Sequence, residues 1–221
     1  SKTRTFKVYL ETLQPARVAD IIDGYKNYAG ENAKYVKRFV AKENLAKKNT
    51  RTVVTDALTE IQNMGIKELT PEQQLNIMLN IRYREGAYDQ VKTLLEKNKM
   101  TEVPTLTETE EQVIQILKKN TNRNTSEIAA VYEEIENKIF GKLDEYILPI
   151  KYENEFNILP SETIEQGRFR TTQTFKGFVY ERQKGVTKVP RTDIFGIFEE
   201  AINEQQWYLN IQPELENTKY L

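Results

Sequence analysis

FEEAINEQQWYLNIQPELENTKYL, residues 198–221, closes the chain, and whether it is helix throughout or helix followed by tail decides the architecture. FEEAINEQQW reads as a helix. After Leu209 neither a 3.6-residue nor a two-residue period is strong, so YLNIQPELENTKYL reads as an extended tail. Trp207, Tyr208, Leu209, Ile211, Leu215, Tyr220 and Leu221 make that tail apolar. An apolar tail needs a groove to lie in, on its own domain or on a neighbour's.

The stretch before it has the opposite character. RFRTTQTFKGFVYERQKGVTKVPR, residues 168–191, sets Arg168, Arg170, Lys176, Arg182, Lys184, Lys188 and Arg191 against the single acid Glu181. β-Branched and aromatic residues become frequent from about residue 150 to Pro190, and helical periodicity fades. FRTTQTF and GFVYERQ read as strands, with VTKV as a short third. In such a strand Arg168 and Arg170 share a face opposite Phe169. Residues 168–191 carry a net charge of +6 and residues 193–221 a net charge of −5. Adjacent blocks of opposite sign point to pairing, within the subunit or between neighbours, that sets register more than affinity.

Working back toward the N-terminus, the chain turns helical. TRTFKVYLE, residues 3–11, alternates like an edge strand. Val18, Ile21, Ile22 and Tyr25 then recur at helical spacing up to Gly30. A second helix is expected from Glu31, with Val36, Phe39 and Val40 inward, and a third through Val54, Ala57, Leu58 and Ile61, ending at Gly65. Nothing breaks the backbone between these last two, but the apolar stripe thins between Ala41 and Thr52, so a bend or loop is expected there. In LTPEQQ, Thr70 is the N-cap, Pro71 the first helical residue and Gln73 the closing member of a capping box.

That helix runs to Gly86, and GAYDQVKTLLEKN forms the next, with Val91, Leu94 and Leu95 inward. YREGAYDQVKTLLEKN loosely resembles the second helix of a tetratricopeptide repeat. No second copy occurs at the period of about 34 residues, so the resemblance implies no more than a helical hairpin. TEEQVIQILKKN has acids at its start and lysines at its end, as the helix dipole prefers. From Asn124 an amphipathic helix carries Ile128, Val131, Tyr132, Ile135, Ile139 and Leu143 toward Pro149.

The expected class is therefore α+β. Residues 1–149 form a mainly helical region, with a possible N-terminal edge strand. Residues 150–221 form a small antiparallel ribbon, a short helix and an acidic extended tail, packed with the first region as one unit.

Composition narrows the chemistry. Among 221 residues there are no cysteines and no histidines. Disulfides, Cys/His zinc sites and His-based catalytic arrangements are excluded. No glycine-rich phosphate loop occurs, and no serine lies in an S-x-x-K or G-x-S-x-G setting. The carboxylate groups Glu108/Glu110/Glu111 and Glu133/Glu134/Glu136 read as a first helical turn and a solvated helix face. No catalytic, cofactor or metal residue is assigned. No stretch approaches the roughly 20 apolar residues of a membrane span. SKTRTFKVYLE lacks the apolar core of a secretory signal, so a cytoplasmic setting is expected.

The function expected is a non-enzymatic structural or assembly protein that docks to copies of itself or to other subunits of a large complex. Its partner-binding residues would be Arg168, Arg170, Lys176, Arg182, Lys184 and Lys188 of the ribbon, with Trp207, Tyr208, Ile211, Leu215 and Tyr220 of the tail. Richness in Lys, Asn, Ile and Glu suggests an AT-rich coding source. Together with the missing catalytic chemistry it suggests a tailed-phage virion component (neck, tail or capsid), in the host cytoplasm during assembly. The alternative is a nucleic-acid-binding accessory protein. It would use the ribbon together with Lys34, Lys37, Arg38, Lys42, Lys47 and Lys48, basic positions of one helix suited to phosphate contacts.

Overall fold

The computed structural model describes residues 26–141, 146–153 and 188–218. Its described elements are α1 (Lys26–Asn63), α2 (Pro71–Arg84), α3 (Tyr88–Lys97), α4 (Glu108–Thr121), α5 (Thr125–Glu136) and α6 (Ile194–Thr218). α1 has 38 residues, about 57 Å at 1.5 Å per residue. It runs straight through Gly30 and through the polar stretch where a bend was expected. The apolar stripe thins there because that length of α1 faces a polar length of α6. The Arg38 guanidinium donates to Glu214 at 2.9 Å, and the Asn49 amide donates to the Gln206 side-chain oxygen at 3.1 Å. Low numbers on α1 meet high numbers on α6, so the two helices run antiparallel.

Toward the other end of this pair the contact becomes apolar. Val53, Ala57 and Ile61 of α1 join Ile194, Ile197, Phe198 and Ile202 of α6 in the core, with Ile77, Met78, Leu79 and Ile81 of α2 and Val113, Ile114 and Leu117 of α4. α3 packs on α2 as a hairpin, and α5 packs on α6. Local signals hold this layout. Thr70 and Gln73 form the reciprocal capping box, and Thr107 and Glu110 form a second one. Gly65 and Gly86 take φ of +85° and +71° after α1 and α2, a conformation that costs a side-chain-bearing residue more than glycine.

At the end of α2, Arg82 and Glu85 form an ion pair at 2.8 Å with both side chains out of contact with solvent. The Arg82 guanidinium also donates to the carbonyls of Leu148 and Pro149, at 2.8 and 2.7 Å. The other Glu85 oxygen accepts the backbone N–H groups of Ile147 and Leu148, at 2.7 and 3.0 Å. One pair of side chains thus fixes a stretch of irregular backbone against the hairpin and brings Ile147 and Leu148 into the core.

Two expectations are overturned. The class is not α+β: the described residues are predominantly helical and contain no β-strand. Their β pairing is one isolated antiparallel bridge, Tyr152 to Pro190. The strands expected at 3–11, 169–175 and 177–183 lie outside the described residues. Lys188 and Val189, expected in the short third strand, are in none. The extended tail is also corrected, since α6 continues to Thr218 with Pro213 inside it. The period was weak there because the helix is covered on several sides. Gln205, Gln206, Asn210, Gln212 and Glu214 are all buried, so polar residues occupy positions that a one-faced helix would keep apolar. α5 is shorter than expected. It ends at Asn137, which adopts a left-handed conformation.

Two outcomes follow. Glu85→Ala leaves a buried guanidinium without its counter-charge and should cost about 3–5 kcal/mol in urea unfolding. Pro213→Ala restores the amide that Pro cannot offer in a helix and should raise unfolding stability by about 1–3 kcal/mol; an extended segment at 213 would give no such gain.

Candidate interaction site

The junction of α2 and α3 presents aromatic surface to solvent. Tyr83 stands in the last turn of α2 and Tyr88 is the first residue of α3, and they are 55% and 62% exposed. The tight turn at Gly86 brings the rings edge to face, with centroids 5.6 Å apart and planes at 73°. Val91 and Leu95, on one side of α3, continue the surface, and Met100 and Val103 from the following loop close it. The result is an open groove of about 470 Å³, edged by Lys92, Glu96 and Glu102. Lys92 and Glu96 form a loose exposed pair at 3.9 Å.

This groove stands on rigid support. The Arg82–Glu85 pair holds one side of the hairpin. Arg84 forms a two-pronged contact with Glu111 of α4, at 2.9 and 2.6 Å. The Arg84 guanidinium, through those hydrogen bonds, holds the Glu111 carboxyl down at about 2. Glu110 has its side chain turned back onto the Thr107 N–H at 2.8 Å. Two of the three acids at the start of α4 are therefore engaged by an arginine and by a helix cap.

A second cluster pins together the two chain ends flanking residues 154–187. Glu153 N–H donates to the Val189 carbonyl and Arg191 N–H to the Lys151 carbonyl, at 2.9 and 2.8 Å. The Lys188 ammonium lies 5.9 Å from the centre of the Tyr152 ring, within cation–π range. Lys97 of α3 binds Glu153 at 2.6 Å. Lys151 and Glu204 form an ion pair at 2.5 Å, about nine-tenths buried on both sides. Burial pushes the Glu204 carboxyl up, Lys151 opposes that, and Glu200 adds to it. Arg191 bonds Asp193 and Glu200. The Asp193 carboxylate in particular raises the Arg191 pKa above its ordinary value. The Asp193 carboxylate lies close over Gly196, so a Cβ there would push that side-chain tip aside.

The residues singled out from sequence fall in several places. Arg168, Arg170, Lys176, Arg182, Lys184 and Tyr220 lie outside the described residues. Lys188 is at the pinned neck. Trp207, Tyr208 and Ile211 are buried in the chain's own helical body, and Leu215 is half-buried. Of the basic residues on α1, the side chain of Lys34 is outside the description. Arg38 pairs with Glu214 across the α1–α6 seam, and Lys47 pairs with Glu43 at 2.6 Å. Lys37 and Lys42 are half-buried and Lys48 is exposed. α1 therefore does not present its positive charge as one undivided stripe.

The groove at Tyr83 and Tyr88 was missed from sequence. The two tyrosines flanking a Gly turn were visible in the sequence, but their shared exposure depends on how the hairpin packs. Compared with protein-family models, curated proteins and solved structures, the chain has no match.

The Arg84–Glu111 contact sets a pH dependence. The Glu111 carboxyl is depressed from 4.5 to about 2. Its contribution is thus complete above about 4.5 and lost as pH falls toward 2. The pair is a third exposed, so its effect should stay below about 1 kcal/mol. Arg84→Met should flatten the acid limb of thermal stability between those pH values, as read by melting temperature.

Proposed function

We propose that this chain is a non-enzymatic assembly protein that docks to copies of itself or to other subunits of a larger complex. One observation carries the reading: two edge-to-face tyrosines more than half exposed over an apolar floor, on a hairpin held by buried and bidentate ion pairs. Tyrosine is enriched among residues that dominate protein interfaces, and it loses little conformational freedom on docking. A rigid aromatic groove binds without first having to order itself.

The tail enters this proposal differently from the sequence expectation. Trp207, Tyr208 and Ile211 support the fold from inside, and docking is assigned to the hairpin surface instead. The basic segment 168–188, joined to the body at the pinned neck, remains part of the proposed contact through charge, which sets orientation and encounter rate. The nucleic-acid alternative loses support from α1, where Arg38 and Lys47 are already paired. Placement in a phage particle, and in the host cytoplasm before it, rests on composition alone. Among the described residues no helix is long and apolar enough to cross a membrane.

Size-exclusion chromatography with light scattering over a concentration series tests the reading. The wild-type chain should gain mass with concentration, and the double substitution Tyr83→Asp/Tyr88→Asp should weaken association at least about tenfold while leaving the melting temperature within a few degrees. A wild-type chain that stays monomeric throughout, and a double variant that associates like wild type, each argue against it.

A further inference from the structure

Four large hydrophobic residues stand exposed among the described residues: Leu45, Tyr83, Tyr88 and Ile139. Two of them form the rim of the groove just described. Ile139 is the most exposed of the four, at 89%. Its position follows from local structure. Asn137 ends α5 in a left-handed conformation, φ +52°, so the chain leaves the helical path just before Ile139. Phe140, the next residue, turns back and meets Tyr132 of α5 edge to face, with ring centroids 5.5 Å apart. The aromatic pair anchors the hook formed by residues 137–141 and holds an aliphatic knob out in solvent. An isolated exposed Ile is unremarkable in itself. A knob held outward on a braced hook, in a chain that also carries an open apolar groove, is a different matter.

We infer that Ile139 of one copy seats in the Tyr83–Tyr88 groove of the next, so that copies join head to tail. The inference rests on the assembly reading and names its partner: a second copy of this chain. Shape and polarity agree. The floor of the groove is Val91, Leu95, Met100 and Val103, which suits a branched aliphatic side chain. Charge agrees as well. The rim residues Glu96, Glu102 and Lys92 sum to −1, while the hook Asn137-Lys138-Ile139-Phe140-Gly141 carries +1 from Lys138. Lys138 is exposed, so it is available to the two glutamates of the rim. The groove and the knob are both open in the same folded chain, so the knob does not fill its own molecule's groove.

Knob and groove are different surfaces, which makes the contact heterologous. Repetition of such a contact gives a closed ring or an open filament, according to the rotation between neighbours. A single seated side chain with its rim buries less than a standard stable interface, so pairwise affinity is weak and growth depends on concentration. Further contacts would act together with it once copies are held in a row.

The heterologous character supplies the test. Ile139→Asp removes the knob and leaves the groove; Tyr88→Asp spoils the groove and leaves the knob. By sedimentation velocity on the full chain, at a concentration where wild type associates, each variant alone should be monomeric, with apparent affinity down at least about tenfold. An equimolar mixture of the two should recover a dimer, one intact knob in one intact groove, and should grow no further. Ile139→Val should retain association, separating loss of the contact from general damage. Both altered residues are exposed, so unchanged circular dichroism and melting temperature are expected for all three.

If either aspartate variant associates as wild type does, or if the mixture of two monomeric variants stays monomeric, the head-to-tail contact is wrong. Association lost with Tyr83→Asp/Tyr88→Asp but kept with Ile139→Asp would overturn this inference and leave the assembly reading standing. Wild type monomeric at every concentration would remove this inference and the self-docking half of the assembly reading.

Discussion

A charged pair with no access to water, Arg82 and Glu85, is the constraint on which the arrangement of the hairpin and its surroundings depends. Taking two charges out of water costs several kcal/mol each, and their mutual attraction offsets this only when the remaining donors and acceptors are also used. Here they are. The arginine reaches two backbone carbonyls, and the glutamate accepts two backbone N–H groups. Those four groups belong to residues 147–149, a stretch with no regular secondary structure that is buried at Ile147 and Leu148. Backbone of this kind cannot satisfy its own polar groups. The ion pair does so for it, and it thereby determines where the chain enters the neck at Lys151–Glu153.

The α1–α6 seam shows a related use of polarity. An apolar seam between two long antiparallel helices would tolerate sliding by a turn, since one aliphatic contact is much like the next. Arg38 with Glu214 and Asn49 with Gln206 match only in one register. A shift of one turn would bury Glu214 and Gln206 without those partners, at a cost of about 1–3 kcal/mol for each polar group left unmade. Small residues on the same seam, Ala46 and Ala57, both almost fully buried, let the helices approach closely. Register is set by the polar half of the pair and density by the apolar half.

Much of this was legible in the sequence, and the failures have physical causes. α3 and α4 each bury one face, and α2 is bounded by clear end signals, Thr70-Pro71-Gln73 and Gly86, so these helices were legible. α6 carries neither signal in its second half. Burial on several sides erased the amphipathic period, buried glutamines and an asparagine imitated a polar loop, and Pro213 lies within the helix. The apolar residues of 207–215 were correctly seen as needing a place to be buried, but that place is their own chain. The polar middle of α1 was read as a break for the complementary reason, since its partner surface is polar and lies more than 150 residues away. The aromatic groove escaped notice because exposure cannot be deduced from one helix alone; it depends on the hairpin turning Tyr83 and Tyr88 toward the same side.

Internal pairing occupies many of the cations of the described body. Arg38, Lys47, Arg84, Lys97, Lys119, Arg123 and Arg191 each meet a carboxylate. A surface built to grip phosphates would keep such groups for the ligand, because each cation neutralised within the protein is one fewer available to displace counterions from nucleic acid. The described body also leaves apolar and aromatic groups uncovered: two tyrosines over an aliphatic floor, and an isoleucine on a braced hook. Exposed apolar surface of this kind gains free energy from being covered, by about 25 cal/mol for each Å² removed from water. That gain is the physical basis of the proposed docking.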